Sequence, residues 1–273
     1  MHFTLKSKFL TSSLLLLLAC GLILTGCGQQ AASDVSKSSA SDTAETKPPL
    51  LAYVGANLKE PMTELARSYE EKTGIRVELT FNNSGALLNQ IQTVSQGDIY
   101  MPGGMPFVKK AKDLKLLDKM EGPVAIHTPV IVVPKGNPAD IHGLQDLTKD
   151  GVQLLIPDKE ATAIGKTIYK IFDAAGITAG VEKNIAANME TPAKVIAAIT
   201  MGQGNAGIVE YSNTLKAGDK LERIDIDPAW NQTEEIPIAT LSSSKQKAAA
   251  EDFMQYVKAN GPAVFEKYGF KTK

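Results

Sequence analysis

From Leu50 onward, short apolar runs of β type alternate with stretches whose apolar residues recur at helical spacing. No other feature restricts the fold as much. "LLAYVGA" (50–56) reads as a buried strand. Pro61 then stands in the first turn of a helix, where its missing N–H costs nothing. Met62, Leu65, Ala66 and Tyr69 follow at i, i+3, i+4 and i+7, and Gly74 stops the helix. "IRVELTF" places Ile75, Val77, Leu79 and Phe81 on alternate positions, the pattern of a half-buried strand.

The alternation continues to the C-terminal end. A second helix is expected over 86–93, and "GDIYMPGG" is a third strand running into a turn. A polar helix follows around "FVKKAKDLKLL". "TPVIVVPKGNP" and "VQLLIPD" are apolar strands, "AIGKTIYKIFDAAGI" and "TPAKVIAAITMGQG" helices, and "AGIVE" a short strand. The stretch "KQKAAAEDFMQYVKANGPAVFEKYGF" is expected to hold two helices. Strands alternating with helices of this length imply an α/β chain with mostly parallel sheets.

Composition removes some classes of function. Hydrophobic residues make up 43%, enough for a packed core, while the net charge is -1. A near-neutral chain lacks the basic face that phosphate neutralisation needs, and aromatics at 6% leave few stacking platforms, so no nucleic-acid partner is expected.

Residues 1–26 read as a processing signal: Lys6 and Lys8 precede a mostly apolar run from Phe9 to Ile23, which ends in "LTGC". This ending resembles the lipobox of bacterial lipoproteins, which implies cleavage before Cys27, diacylation of its thiol and an extracytoplasmic, membrane-anchored protein. The other cysteine, Cys20, would leave with the signal, so the mature chain would have no disulfide. Residues 27–48 then form a polar tether of Ser, Ala, Asp, Gln and Thr.

Catalytic signatures are weak: there is no G-x-S-x-G and no Walker loop, and the S-x-x-K spacing in "SKQK" is a chance-level match, so an enzyme is not expected. His127 and His142 are far apart and no Cys pair accompanies them, so no metal site or cofactor is expected. Met101 and Met105 in "MPGGMP", with Tyr100 and His127, could make a soft-metal site, but Met residues beside Pro/Gly turns more often pack. Asp98 in "GDIY" reads as a turn support.

The order of segments resembles the molybdate-binding proteins of bacterial ABC importers. The likeness runs from "AYVGANLKEPMTELARSYEEKTGIRVELTFNNSGALLNQI" through "VVPKGNP" and "AGIVEYSN" to "PAVFEKYGFK". It implies a two-lobed α/β fold, the type II periplasmic-binding-protein fold, with a tetrahedral dianion held in the cleft. Lobe I would take 49–128 plus 237–273 and lobe II 129–236, with crossovers near 127–132 and 235–238. The implied ligand is molybdate or tungstate, the implied partners an ABC permease and its ATPase, and the binding protein itself a monomer.

Carried over position by position, the resemblance implies contacts from Ser84, from the N–H groups around Gly85, and from the backbone of Ile164 and Ala193. Asn57 stands where the family has a first serine, and Glu210 where it has a tyrosine, with Tyr211 next in line. Neutral donors at helix starts suit a dianion, because the first N–H groups of a helix lack partners and carry partial positive charge. Glu210 departs from that logic, since a carboxylate beside a dianion repels it. Protonation, turning away in favour of Tyr211, or direct ligation, as in the archaeal tungstate/molybdate binders, would each resolve the conflict. The departures at Asn57 and Glu210 keep another oxyanion, a metal complex or a small acid open as ligand, and a lipid-anchored hydrolase as a further alternative.

Overall fold

The computed structural model describes residues 47–272. The signal, Cys27 and nearly all of the tether lie outside the described residues. Among the described residues no helix is long and apolar enough to cross a membrane.

The chain begins with β1 (Leu50–Gly55), α1 (Lys59–Thr73), β2 (Val77–Asn82), α2 (Ser84–Val94), β3 (Ile99–Met101) and α3 (Met105–Asp113). β4 (Leu117–His127) leads directly into β5 (Pro129–Pro134), and β6 (Leu154–Pro157), α4 (Ala163–Ala174) and α5 (Thr178–Glu182) follow. β7 (Ile185–Met189), α6 (Pro192–Thr200), β8 (Ala206–Glu210), α7 (Tyr211–Thr214) and β9 (Leu221–Asp225) complete the middle of the chain. β10 (Glu234–Leu241) and α8 (Lys247–Lys267) close it.

These strands make two five-stranded sheets, ordered β2-β1-β3-β10-β4 and β7-β6-β8-β5-β9. The chain passes from the first to the second at Thr128 and returns through 226–233. β10 begins at Glu234. Each sheet with its helices is a lobe of a two-lobed α/β fold.

Both sheets are mixed rather than mostly parallel. The βα half of each is parallel, β2-β1-β3 and β7-β6-β8. The remaining ladders, made by β10 and by β5, are antiparallel. The direct β4–β5 passage and the return along β10 cause this, because neither is a helical crossover.

Alternation explains why β5 is apolar throughout. Ile131 and Val133 pack with Ile164, Ile168 and Phe172 of α4 on one face. Val130 and Val132 pack with Val195 and Ile199 of α6 on the other. The first sheet is covered in the same way. Met62, Leu65 and Tyr69 of α1 join Phe253, Val257 and Phe265 of α8 over one face. Leu87 and Leu88 of α2 and Phe107 of α3 cover the other.

The two helices expected at the C-terminal end are one. α8 runs through Pro262 without a break, because Gly261 lies flat on Val124 and Phe265 must still reach the first core. A proline gives up one backbone hydrogen bond, and here the buried aromatic beyond it outweighs that loss.

Candidate functional site

A parallel strand and the helix after it meet at the carboxyl edge of the sheet, so α2, α4 and α6 all begin on the same side of their sheets. The two lobes bring these three starts together around a cavity of about 20 Å³, room for one or two water-sized groups. Its wall carries Asn82, Asn83 and Ser84 from the first lobe and Thr162, Ala163 and Ile164 from the second. Gly55 at the end of β1, Ala56 and Asn57 just after it, Gly103, Glu190 to Pro192, and Glu210 complete it. None of these residues is a lysine or arginine.

Each helix start is capped by a short polar side chain. Ala86 N–H donates to Asn83 Oδ1 at 2.8 Å, Gly165 N–H to Thr162 Oγ1 at 2.9 Å, and Lys194 N–H to Thr191 Oγ1 at 3.3 Å. A cap satisfies one donor of the first turn and leaves others free. The amides of Ser84, Ala163, Ile164 and Ala193 sit at first or second helical positions, where no carbonyl lies one turn back. Gly165 allows α4 to start where it does: a Cβ there would lie 2.3 Å from the Asp158 carbonyl oxygen, which takes the Thr162 N–H.

Ser84 is buried in the wall, and its Oγ accepts the Gly103 N–H at 3.0 Å. That bond uses a lone pair, so the hydroxyl hydrogen can still be donated. Tyr100 donates its hydroxyl to the Ser84 carbonyl at 3.1 Å and fixes the start of α2. Met101 packs in the first core. Asp98 accepts from Leu51 N–H and from Ser244 Oγ, and so ties β1 to the turn after β10.

Gly85 has another task than the one expected of it. Its N–H donates to the Ala161 carbonyl across the cleft at 2.9 Å, and a Cβ would lie 3.1 Å from that oxygen. The close approach it permits here is between the lobes. Tyr211 is also away from the cavity, with its ring centroid 4.3 Å from the Arg223 guanidinium carbon. Ala193 sits one residue beyond the wall formed by Thr191 and Pro192, facing a wider outer cleft of about 510 Å³.

At the base of the cavity stands a cluster that no local pattern announces. Asn57 Nδ2 donates to Glu210 Oε1 at 2.9 Å and lies 2.9 Å from His127 Nε2. Glu210 is 1% exposed and His127 2%. Two amide hydrogens serve two acceptors if His127 is neutral, and burial does push its pKa down to about 3. Burial likewise pushes the Glu210 carboxyl up to about 7, against the pull of its hydrogen bonds. Glu210 Oε2 and His127 Nδ1 have no hydrogen-bond partner among the described residues. Among those residues no group of three His, Cys, Asp or Glu side chains is placed to hold a metal ion.

Two α/β lobes joined by two crossings, with helix starts facing a small cavity between them, define a type II periplasmic binding protein. The chain belongs to the bacterial extracellular solute-binding protein family, whose profile matches residues 50–271. A Haemophilus influenzae protein named only as a binding protein is 28% identical over 222 residues, 81% of this chain and 90% of its own. The molybdate-binding protein ModA of Mycobacterium tuberculosis is 23% identical over 256 residues, 93% of this chain and 94% of its own. The sulfate-binding protein SubI of Mycobacterium tuberculosis superposes with a TM-score of 0.71 at 15% identity, covering 82% of this chain and 86% of that one.

Proposed function

We propose that this chain captures a small tetrahedral oxyanion, molybdate or tungstate, outside the cytoplasm and delivers it to the permease of an ABC importer, whose separate ATPase supplies the energy. Cys27 would anchor it to the membrane through lipid. It would work as a monomer, and closure of the lobes on the ion would be the signal that the permease reads. One observation carries the reading. Neutral hydroxyl and amide groups at three helix starts meet at a small cavity whose wall holds no lysine or arginine, with Glu190 and Glu210 as its two carboxylates. Ser84, Asn57, Ile164 and Glu210 would touch the ligand, and Ala193 would reach it through its backbone N–H. Gly85 would act by letting the lobes meet, and Tyr211 would have no contact.

The experiment is calorimetric titration of the full chain with molybdate, tungstate, sulfate and inorganic phosphate. Binding of molybdate or tungstate well above the others is expected, and silence toward all four would reject the reading. Ser84→Ala should weaken binding by about 1–3 kcal/mol, the cost of a hydrogen bond to a charged group. An unchanged dissociation constant would remove Ser84 from the site.

Glu210 favours a second reading, in which the preferred oxyanion carries a hydrogen. An ionised Glu210 accepts from a hydrogen-bearing anion and repels a bare one. Phosphate binding ahead of molybdate in the same titrations would select it.

A further inference from the structure

The oxyanion reading leaves Glu210 unexplained, because no lysine or arginine among the described residues is paired with it. Its Oε1 is held by Asn57, and the side chain is buried in the cavity wall. Its Oε2 has no partner among the described residues. His127 on β4 lies 3.9 Å away and is neutral. In the sheet, neighbours β5 and β6 bring no titratable side chain to β8. From α6, Lys194 is exposed and paired with Glu190. From α4, Lys166 is paired with Glu160, while Tyr169 lies against Lys159 and Phe172. Lys170 acts on Glu234. Tyr211 of α7 lies against Arg223. None of these charged groups is paired with Glu210, whose one side-chain hydrogen bond among the described residues comes from the neutral amide of Asn57.

We propose that the closed site holds one proton between Glu210 Oε2 and the bound anion, so that a fully ionised oxyanion binds together with one proton from solution while a hydrogen-bearing oxyanion brings its own. This rests on the oxyanion reading above. The proton balance is simple. A Glu210 carboxylate, one proton and a bare dianion give a carboxylic acid whose O–H donates to a ligand oxygen. A Glu210 carboxylate and a monohydrogen anion give the same count with nothing taken up. Either way the contact gains a hydrogen bond where it would otherwise set two acceptors against each other.

Several features serve this arrangement. Asn57 holds Oε1 as acceptor through a neutral amide, which leaves Oε2 as the atom that carries the hydrogen. A lysine or arginine in that place would keep Glu210 ionised. Burial already lifts the free site to about 7, and an anion alongside lifts it further, so the proton is taken up most clearly above neutrality. His127, neutral across that range, adds no proton of its own.

The test is proton uptake on binding, measured by calorimetry of the full chain in two buffers of different ionisation enthalpy. The probes are sodium molybdate and sodium sulfate, with sulfate included because it does not itself take up a proton near neutrality. At about pH 8, close to one proton should be absorbed per anion bound, and affinity should fall roughly tenfold per pH unit above that. Glu210→Gln places a permanent N–H donor where the O–H would be. It should bind with no uptake and no such slope, and a thermal unfolding scan checks that it folds. Uptake near zero in the native chain, or a slope that survives in Glu210→Gln, overturns the proposal and leaves the oxyanion reading standing. If the variant fails to bind, uptake by the native chain decides alone. Failure of molybdate, tungstate, sulfate and phosphate to bind at any pH rejects both.

Discussion

Two carboxylates are buried where the lobes meet, Glu210 and Glu234, and they are built in opposite ways. Glu234, 8% exposed, opens β10 in the first lobe and has both oxygens engaged. Oε1 takes the Met105 N–H at the start of α3, at 2.7 Å, and Oε2 takes the Thr167 hydroxyl of α4, in the second lobe, at 3.1 Å. Glu210, at 1%, lines the cavity and has one oxygen held by Asn57, the other being buried with no partner among the described residues. Burial alone therefore does not mark a functional carboxylate. A fully satisfied one ties structure together, and a half-satisfied one stores binding capacity for something else.

The free protein should register that difference. The folded-state pKa of Glu210 lies near 7, above its ordinary 4.5, so between those values the folded chain holds more protons than the unfolded one. Its contribution is fully present below 4.5 and is lost as pH rises toward 7. Glu210→Gln, which never ionises, should therefore stabilise the unliganded protein above neutrality by on the order of 3 kcal/mol and change little in acid, as read by urea unfolding. An equal effect at both pH values would mean that Glu210 is not a strained carboxylate. His127 works in reverse: its pKa is near 3 instead of 6.5, so its contribution is lost as pH falls through that interval.

Glu234→Ala should act the other way, costing about 2 kcal/mol by leaving the Met105 amide and the Thr167 hydroxyl without this acceptor. If it cost no more than a surface change, the clasp would not hold the lobes. The smallest effect belongs to Lys216, whose ion pair with Glu60 also crosses the cleft but is largely exposed. Lys216→Ala should lower stability by less than about 1 kcal/mol, and any loss should vanish in high salt.

How much of this was legible in the sequence depends on range. The starts of α2, α4 and α6 could be read locally, because Asn83, Thr162 and Thr191 precede apolar-periodic runs. Two of the strands that pair in antiparallel fashion, β4 and β9, were harder. β4 carries Asp118, Lys119 and Glu121 on exposed or half-exposed positions, and β9 is an edge strand, so neither shows a continuous apolar run. The cluster at the base of the site could not be read from local pattern. Asn57 is 70 residues from His127 and 153 from Glu210, and only the folding of both lobes brings them together. Resemblance could point to Glu210 and Asn57, but His127 appeared only as a doubtful metal ligand. The clasp of Glu234 on Thr167 has the same origin in long-range packing.

The most direct measurement is a carbon-detected NMR titration of the Glu210 and Glu234 carboxyls, without and with molybdate. The account predicts that Glu210 titrates near 7 in the free protein and moves upward when molybdate is added, while Glu234 is insensitive to the anion. A Glu210 that titrates at the ordinary carboxylate value, and that molybdate does not move, would contradict it.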